Sequence, residues 1–141
     1  MPSNRIFASP QDVETAFYEA LAAGDLDAMM QVWSEDEDIV CIHPGWPRLS
    51  GYAEVRESWR RIFANDARMT LHISQQQQCV TPFAVISHVL ERFGQEGEEN
   101  LSAPVAATNI YTRGALGWRM VAHHASPVPP DSVDSTPKVL H

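Results

Sequence analysis

Asp38-Ile39-Val40-Cys41-Ile42-His43-Pro44-Gly45-Trp46-Pro47-Arg48-Leu49-Ser50-Gly51 is the stretch around which the chain is organised. Ile39 to Ile42 is a short apolar run bounded by turn residues, which predicts a largely buried strand. Pro44, Gly45 and Pro47 stop it, because proline donates no backbone hydrogen bond and the pair favours a rigid loop. His43 stands at the junction. After Gly51 the period changes: Tyr52, Val55, Trp59, Ile62 and Phe63 recur at helical spacing, with Glu54, Arg56, Glu57, Arg60 and Arg61 on the opposite face. The spacing predicts a helix from Tyr52 to about Asn65, with Ser50 as its cap. A strand ending in histidine, a stiff loop and an aromatic-striped helix are the makings of a pocket wall.

Upstream, Ser9-Pro10-Gln11-Asp12 is a helix start: a capping serine, a proline at the first helical position and an acid at the positive end of the dipole. Val13, Ala16, Phe17, Ala20 and Leu21 form its apolar stripe, and Gly24 ends it. Asp25 then caps a second helix whose buried stripe is Leu26, Met29, Met30 and Trp33. The acidic run Glu35 to Asp38 lacks the spacing and the turn glycine of a hard-cation loop and reads as solvated loop.

Downstream the period is two. Met69, Leu71 and Ile73 alternate with polar residues, Gln75 to Gln78 reads as a strand end or turn, and Val80 to Phe93 is the next strand, with Pro82 near its start. Gly94 to Gly97 is a turn. Asn100 to Arg113 places Val105, Ala107, Asn109 and Tyr111 on one face, and Gly114 to Gly117 is a hairpin loop before a last strand, Trp118 to Ala125. Helices segregated from hairpin-connected strands make an α+β pattern. The expected organisation is an arm at 1–8, one domain at 9–127 and a proline-rich tail at 128–141.

The 141 residues suffice for one domain with its own core, and 44% of them are hydrophobic. A net charge of −8 argues against nucleic acid or an anionic membrane surface as partner. No run approaches the ~20 apolar residues of a membrane span, and the first dozen residues lack a signal-peptide core, so a cytoplasmic location is expected. Cys41 and Cys79 form neither a disulfide framework nor a zinc motif. A metal site would need His43 with two converging ligands, drawn from His72, His88 and His124, and no spaced histidine pair supports one. No cofactor is expected, since no phosphate-binding loop or nucleophile elbow occurs.

The words Phe17 to Asp27, Trp33, Ile39 to Gly45, Leu49 with Gly51, Val55 with Ser58-Trp59, Gly117 to Val121 and His123-His124 together resemble the nuclear transport factor 2-like superfamily. The nearest branches are its SnoaL-like members and the association domain of calcium/calmodulin-dependent kinase II. The resemblance implies a cone: a strongly curved antiparallel sheet with three helices packed on its concave side, the cystatin-like roll. It also implies a homodimer through the outer face of the sheet. Against the ketosteroid isomerase branch, which uses an Asp base with a Tyr and a protonated Asp, His43 resembles the base and Asn109 falls near the protonated Asp. Phe17 stands where the Tyr would be and has no proton to donate, so steroid isomerisation is not expected.

The function expected is binding of a small, largely apolar molecule, with acid/base catalysis of isomerase, cyclase or dehydratase type as its enzymatic form. His43 is the catalytic candidate. Trp46, Tyr52, Trp59, Phe63, Asn109 and His124 are the ligand-binding candidates. The aligned words place His124 on the cavity side with Trp118, Met120 and Ala122. The competing readings are structural: His43 capping its strand, the aromatics sealing helix to sheet, and the whole domain serving as a non-catalytic association module.

Overall fold

The computed structural model describes residues 5–64, 68–95 and 101–129. Ser9 Oγ accepts from the Asp12 amide, and helix α1 runs Pro10–Ala23. Gly24 closes it in the left-handed conformation (φ 65°), its amide reaching back to Ala20 and Leu21. Asp25 caps α2, Leu26–Val32, by accepting from the Ala28 amide. Strand β1, Val40–Ile42, leads through the proline loop to a two-residue strand β2, Leu49–Ser50. Helix α3, Tyr52–Phe63, follows with Gly51 rather than Ser50 at its cap position; Ser50 instead gives its amide to Glu54 Oε1. Four long strands follow: β3 Met69–Val80, β4 Ala84–Gln95, β5 Val105–Gly114 and β6 Gly117–Pro127.

The strands form one six-stranded curved sheet in the order β2-β1-β6-β5-β4-β3. The long strands pair antiparallel, while β1 lies parallel to β6, so the sheet is mixed. The glutamines at 75–78 belong to β3 and do not end it. A bulge between Ser74 and Gln77 absorbs the break, with Gln75 at φ 54°. The turn comes at Thr81–Phe83, so Pro82 sits outside the strand where it needs no ladder partner. Gly94 and Gln95 extend β4; Glu96, Gly97 and Asn100 lie outside the described residues, as does the tail from 130.

A second bulge decides which side chains face inward. Ile110 pairs with Ala122 and Tyr111 with Met120, so Val121 has no partner in β5. One extra residue reverses the alternation. Trp118 and Met120 are buried before the bulge, and His123 and Ala125 after it. His124 is therefore exposed, opposite Thr108 on the outer face, and His123 is the inward histidine. The cavity-side placement of His124 and Ala122 is corrected accordingly.

Phe7 bridges to Gly117 beside the β5–β6 turn, where Trp118 gives its amide to the Phe7 carbonyl. Gly117 has φ +87°, and a Cβ there would stand 2.5 Å from that carbonyl oxygen. Gly117→Ala is expected to destabilise the domain by at least about 2 kcal/mol, combining backbone strain with displacement of the arm. Urea denaturation checks this; a loss under about 0.5 kcal/mol would mean the arm does not hold its seat.

Candidate active site

The inner face of the sheet carries a polar row. The register aligns Ser87, Asn109, His123 and Cys41 side by side across β4, β5, β6 and β1. All four are buried, Ser87, Asn109 and Cys41 at 0% exposure. Polar side chains so deep need partners, and helix α1 supplies them. Glu14 and Tyr18, one turn apart, lie on its sheet-facing side and are buried.

Glu14 is the hub. Its carboxylate accepts from Ser87 Oγ (3.1 Å), Asn109 Nδ2 (3.4 Å), the Tyr111 hydroxyl and Gln76 Nε2. Four donors converge on a group that, when ionised, is acceptor only. Tyr18 sits beside it. Its hydroxyl donates to Glu91 Oε2 at 2.6 Å and accepts from Asn109 Nδ2 at 2.9 Å. Asn109 is locked from its other end, where His123 Nδ1 lies 2.6 Å from Oδ1 and must be the donor, because an amide oxygen only accepts. The result is a relay His123–Asn109–Tyr18–Glu91 next to a charged hub.

Burial sets the charge states. Glu91, 1% exposed, has its pKa raised to about 7; Tyr18's hydrogen bond opposes the rise and the nearby Glu14 charge adds to it. Burial and then Glu91 push Tyr18 above the ordinary tyrosine range, and burial and then Glu14 do the same to Tyr111. His123 is lowered to about 3, by burial first and then by His43 and His124, so it is neutral with its proton on Nδ1.

The relay borders open space. A cleft of about 500 Å³ between α1 and β3 is lined by Glu14, Tyr18 and Gln76 at its polar end and by Ala22, Leu71 and Ile73 at its apolar end. Gln11, Thr15, Glu19 and Ser74 complete it.

His43 lies at the β1 end of this row, 4% exposed and near enough to His123 to help lower its pKa. Its Nε2 is 2.9 Å from Ser58 Oγ, and Ser58 gives its own proton to the Val55 carbonyl at 2.7 Å. Ser58 therefore accepts, and His43 carries its proton on Nε2. The Cys41 sulfur is 3.6 Å from the same nitrogen. Burial lowers the His43 pKa to about 4. Trp46 and Trp59 pack edge-on against the imidazole at 5.0 and 4.6 Å between ring centroids, and Phe63 stacks on Trp59 at 5.5 Å.

The candidates from sequence thus do not all converge. Buried His43 and Trp59 pack with half-buried Trp46 and Phe63 in one aromatic cluster near β1, and Trp59 reaches His123 of the relay at 6.2 Å between ring centroids. Tyr52 lies in a separate cleft of about 530 Å³ at the other end of α3, its hydroxyl bonded to the Met30 carbonyl. Asn109 alone joins the relay, and His124 is on the outer face. Glu14, Tyr18, Ser87, Glu91, Tyr111 and His123 were missed as site residues. The available signal was phase: Ser87 and Glu91 alternate in step with buried Val85 and Val89. Among the described residues no three potential metal ligands cluster, and no helix is long and apolar enough to cross a membrane.

Residues 11–131 match the model of the SnoaL-like domain family. The chain belongs to that family. Its fold is the cystatin-like α+β roll of the nuclear transport factor 2-like superfamily. This SnoaL-like domain is 39% identical to a Thiobacillus denitrificans structure provisionally described as a calcium/calmodulin-dependent protein kinase type II association domain. That match covers 89% of this chain and 99% of the other, with a TM-score of 0.84. It is 33% identical to a Streptomyces avermitilis structure provisionally described as a dehydratase of the NTF2-like family, over 83% of this chain and 91% of the other, with a TM-score of 0.73. It is also 26% identical over 115 residues to the F-box protein SKIP8 of Arabidopsis thaliana, covering 81% of this chain. The chain spans about half, 47%, of that relative's length.

Proposed function

We propose that this SnoaL-like domain binds a small, largely apolar molecule in the α1–β3 cleft and acts on it by acid/base chemistry. Tyr18 is the group that meets the ligand, and Glu91 is its proton partner. The observation that carries this is a buried carboxylate–phenol network opening on a cleft with an apolar far wall. Buried carboxylates are rarely the most stable way to fill a core, since apolar side chains of equal volume often do as well or better. Glu91, a carboxyl held near neutral pKa one hydrogen bond behind the cleft-lining Tyr18, is instead a proton-transfer candidate. The dehydratase description of the Streptomyces relative agrees with that chemistry. On this reading His43, hydrogen-bonded to α3 and walled in by Trp46 and Trp59, holds β1 to the helix, and the acid/base role passes to Tyr18 and Glu91.

Methyl NMR with Leu71 and Ile73 as reporters tests the site against a library of small carbonyl and hydroxyl compounds. At pH 5.5, compounds that shift both methyls should bind wild type at least fivefold more tightly than Tyr18→Phe, one hydrogen bond's worth. The reading fails if nothing moves those methyls, or if every binder treats the two proteins alike.

The association-module reading has its own support. The outer face carries the row Ile86, Ile110, Ala122 and Val40 across four strands, all half-exposed. With the Thiobacillus relative in view, we propose a homodimer that covers this row. Sedimentation at micromolar concentration should give a dimer for wild type and a monomer for Ile110→Asp. A wild-type monomer would overturn the proposal.

A further inference from the structure

We propose that the cleft's ligand presents a carbonyl-type oxygen to the Tyr18 hydroxyl, and that Glu91 is the positioning residue whose protonation decides whether that hydroxyl is free to bind it. The inference rests on the α1–β3 cleft being the ligand site.

The argument is one of proton count. A phenol has one proton to give and two lone pairs to receive with. When Glu91 is ionised, Tyr18's proton is committed to Glu91 Oε2 at 2.6 Å, and nothing remains to donate into the cleft. When Glu91 carries a proton, the same contact reverses: the carboxyl donates and the Tyr18 oxygen accepts. Asn109 Nδ2 already donates to that oxygen at 2.9 Å. It cannot turn its oxygen there instead, because His123 Nδ1–H holds Oδ1 at 2.6 Å. Both lone pairs of Tyr18 are then engaged and its proton alone is free. The open space Tyr18 borders is the cleft. The group that takes that proton must accept and need not donate, which describes a ketone, aldehyde or ester oxygen and excludes an ammonium.

The surroundings of Glu91 favour such a switch at neutral pH. The titratable groups acting on it from α1 are Tyr18 and Glu14, and Cys41 approaches from β1. Its cross-strand neighbours on β3 and β5 are Ile73 and Val105, which carry no charge. Tyr111 and His123 connect to it through Glu14 and through Asn109 with Tyr18. No cation is among these groups, and burial leaves Glu91 titrating at about 7.

The probes are cyclohexanone and its isostere methylenecyclohexane, which lacks the acceptor, followed by the Leu71 and Ile73 methyl resonances. Between about pH 5.5 and pH 8.5, cyclohexanone should lose roughly five- to tenfold in affinity, one hydrogen bond's worth, and methylenecyclohexane should not change. Glu91→Gln removes the titrating group, so its affinity for cyclohexanone should be the same at both pH values. Infrared difference spectra of wild type minus Glu91→Gln should show a protonated carboxyl band at pH 5.5 that is gone by pH 8.5. If cyclohexanone binds with the same affinity at both pH values, or if the band is absent at pH 5.5, the Glu91 gate is overturned while the cleft assignment stands. If neither probe shifts the methyls at either pH, the cleft assignment fails and the inference fails with it.

Discussion

Glu14→Ala is expected to destabilise the domain by at least about 3 kcal/mol. The side chain is 4% exposed and takes donors from three strands: Gln76 from β3, Ser87 from β4, and Asn109 and Tyr111 from β5. Removing it takes the acceptor from the buried Ser87 and Tyr111 hydroxyls, while exposed Gln76 turns to water and Asn109 keeps Tyr18, and each buried orphan costs roughly 1–3 kcal/mol. It also opens a void beside Tyr111. Against a total stability of roughly 5–15 kcal/mol this is a large fraction. The urea midpoint should fall with the slope unchanged, because the surface exposed on unfolding stays the same. Glu14→Gln separates charge from shape: its amide turns a donor toward other donors, so it should recover little. If Glu14→Gln were as stable as wild type, the carboxylate would be a spectator and the hub assignment wrong.

The second large effect is the pH profile of stability. His43 and His123 have folded pKa values of about 4 and 3, below the 6.5 of the unfolded chain. Both are neutral in the fold, so their contribution is complete above pH 6.5 and is lost as pH falls toward those folded values. Glu91 has the opposite sign. Its folded pKa of about 7 lies above the unfolded 4.5, so its contribution is present below 4.5 and is lost as pH rises through 7. One proton of difference is worth about 1.4 kcal/mol per pH unit. Between pH 4.5 and 6.5 two histidine terms oppose one glutamate term, and stability should rise by about 1.4 kcal/mol per unit. Below about pH 4.5 the opposition is gone and stability should rise more steeply with pH. For these three groups together, stability peaks near pH 6.5. Urea titrations across pH 4 to 8 measure the slope. In Glu91→Gln the slope from 4.5 to 6.5 should double, and in His123→Gln it should fall near zero. A flat wild-type profile there would show that these groups titrate normally in the fold.

Much of the architecture was legible because it obeys local rules. Ser9, Asp25 and Gly24 cap the helices where their chemistry predicts. Val105, Ala107, Asn109 and Tyr111 share the inner face as their alternation requires. What was not legible depended on counts that no side chain announces. Val121 looks like an ordinary strand residue, yet as the bulged one it exchanges the roles of His123 and His124. Glu14 and Glu19 both lie off the apolar stripe of α1, on opposite sides of it, and burial on a broad arc of the helix makes one a hub and leaves the other exposed. His43 drew attention as a histidine at the end of a buried strand. It does end β1, but it is buried, and Ser58 on α3 accepts its hydrogen bond.

The place of β6 in the sheet carries a consequence for how the molecule assembles. It lies between β1 and β5, though it is the last strand among the described residues, and Phe7 and Trp33 also bridge to it. Until it arrives, the sheet exists as two fragments, the β1–β2 pair and the β3–β4–β5 meander, with no contact between strands to join them. Closing it requires pairing Val40 with Ala122 across most of the chain. Distant pairings of this kind slow the search for the native state. Folding during synthesis would therefore wait on residues 117–127, and until they emerge Ile39 and Cys41 would lack the β6 neighbour that helps bury them.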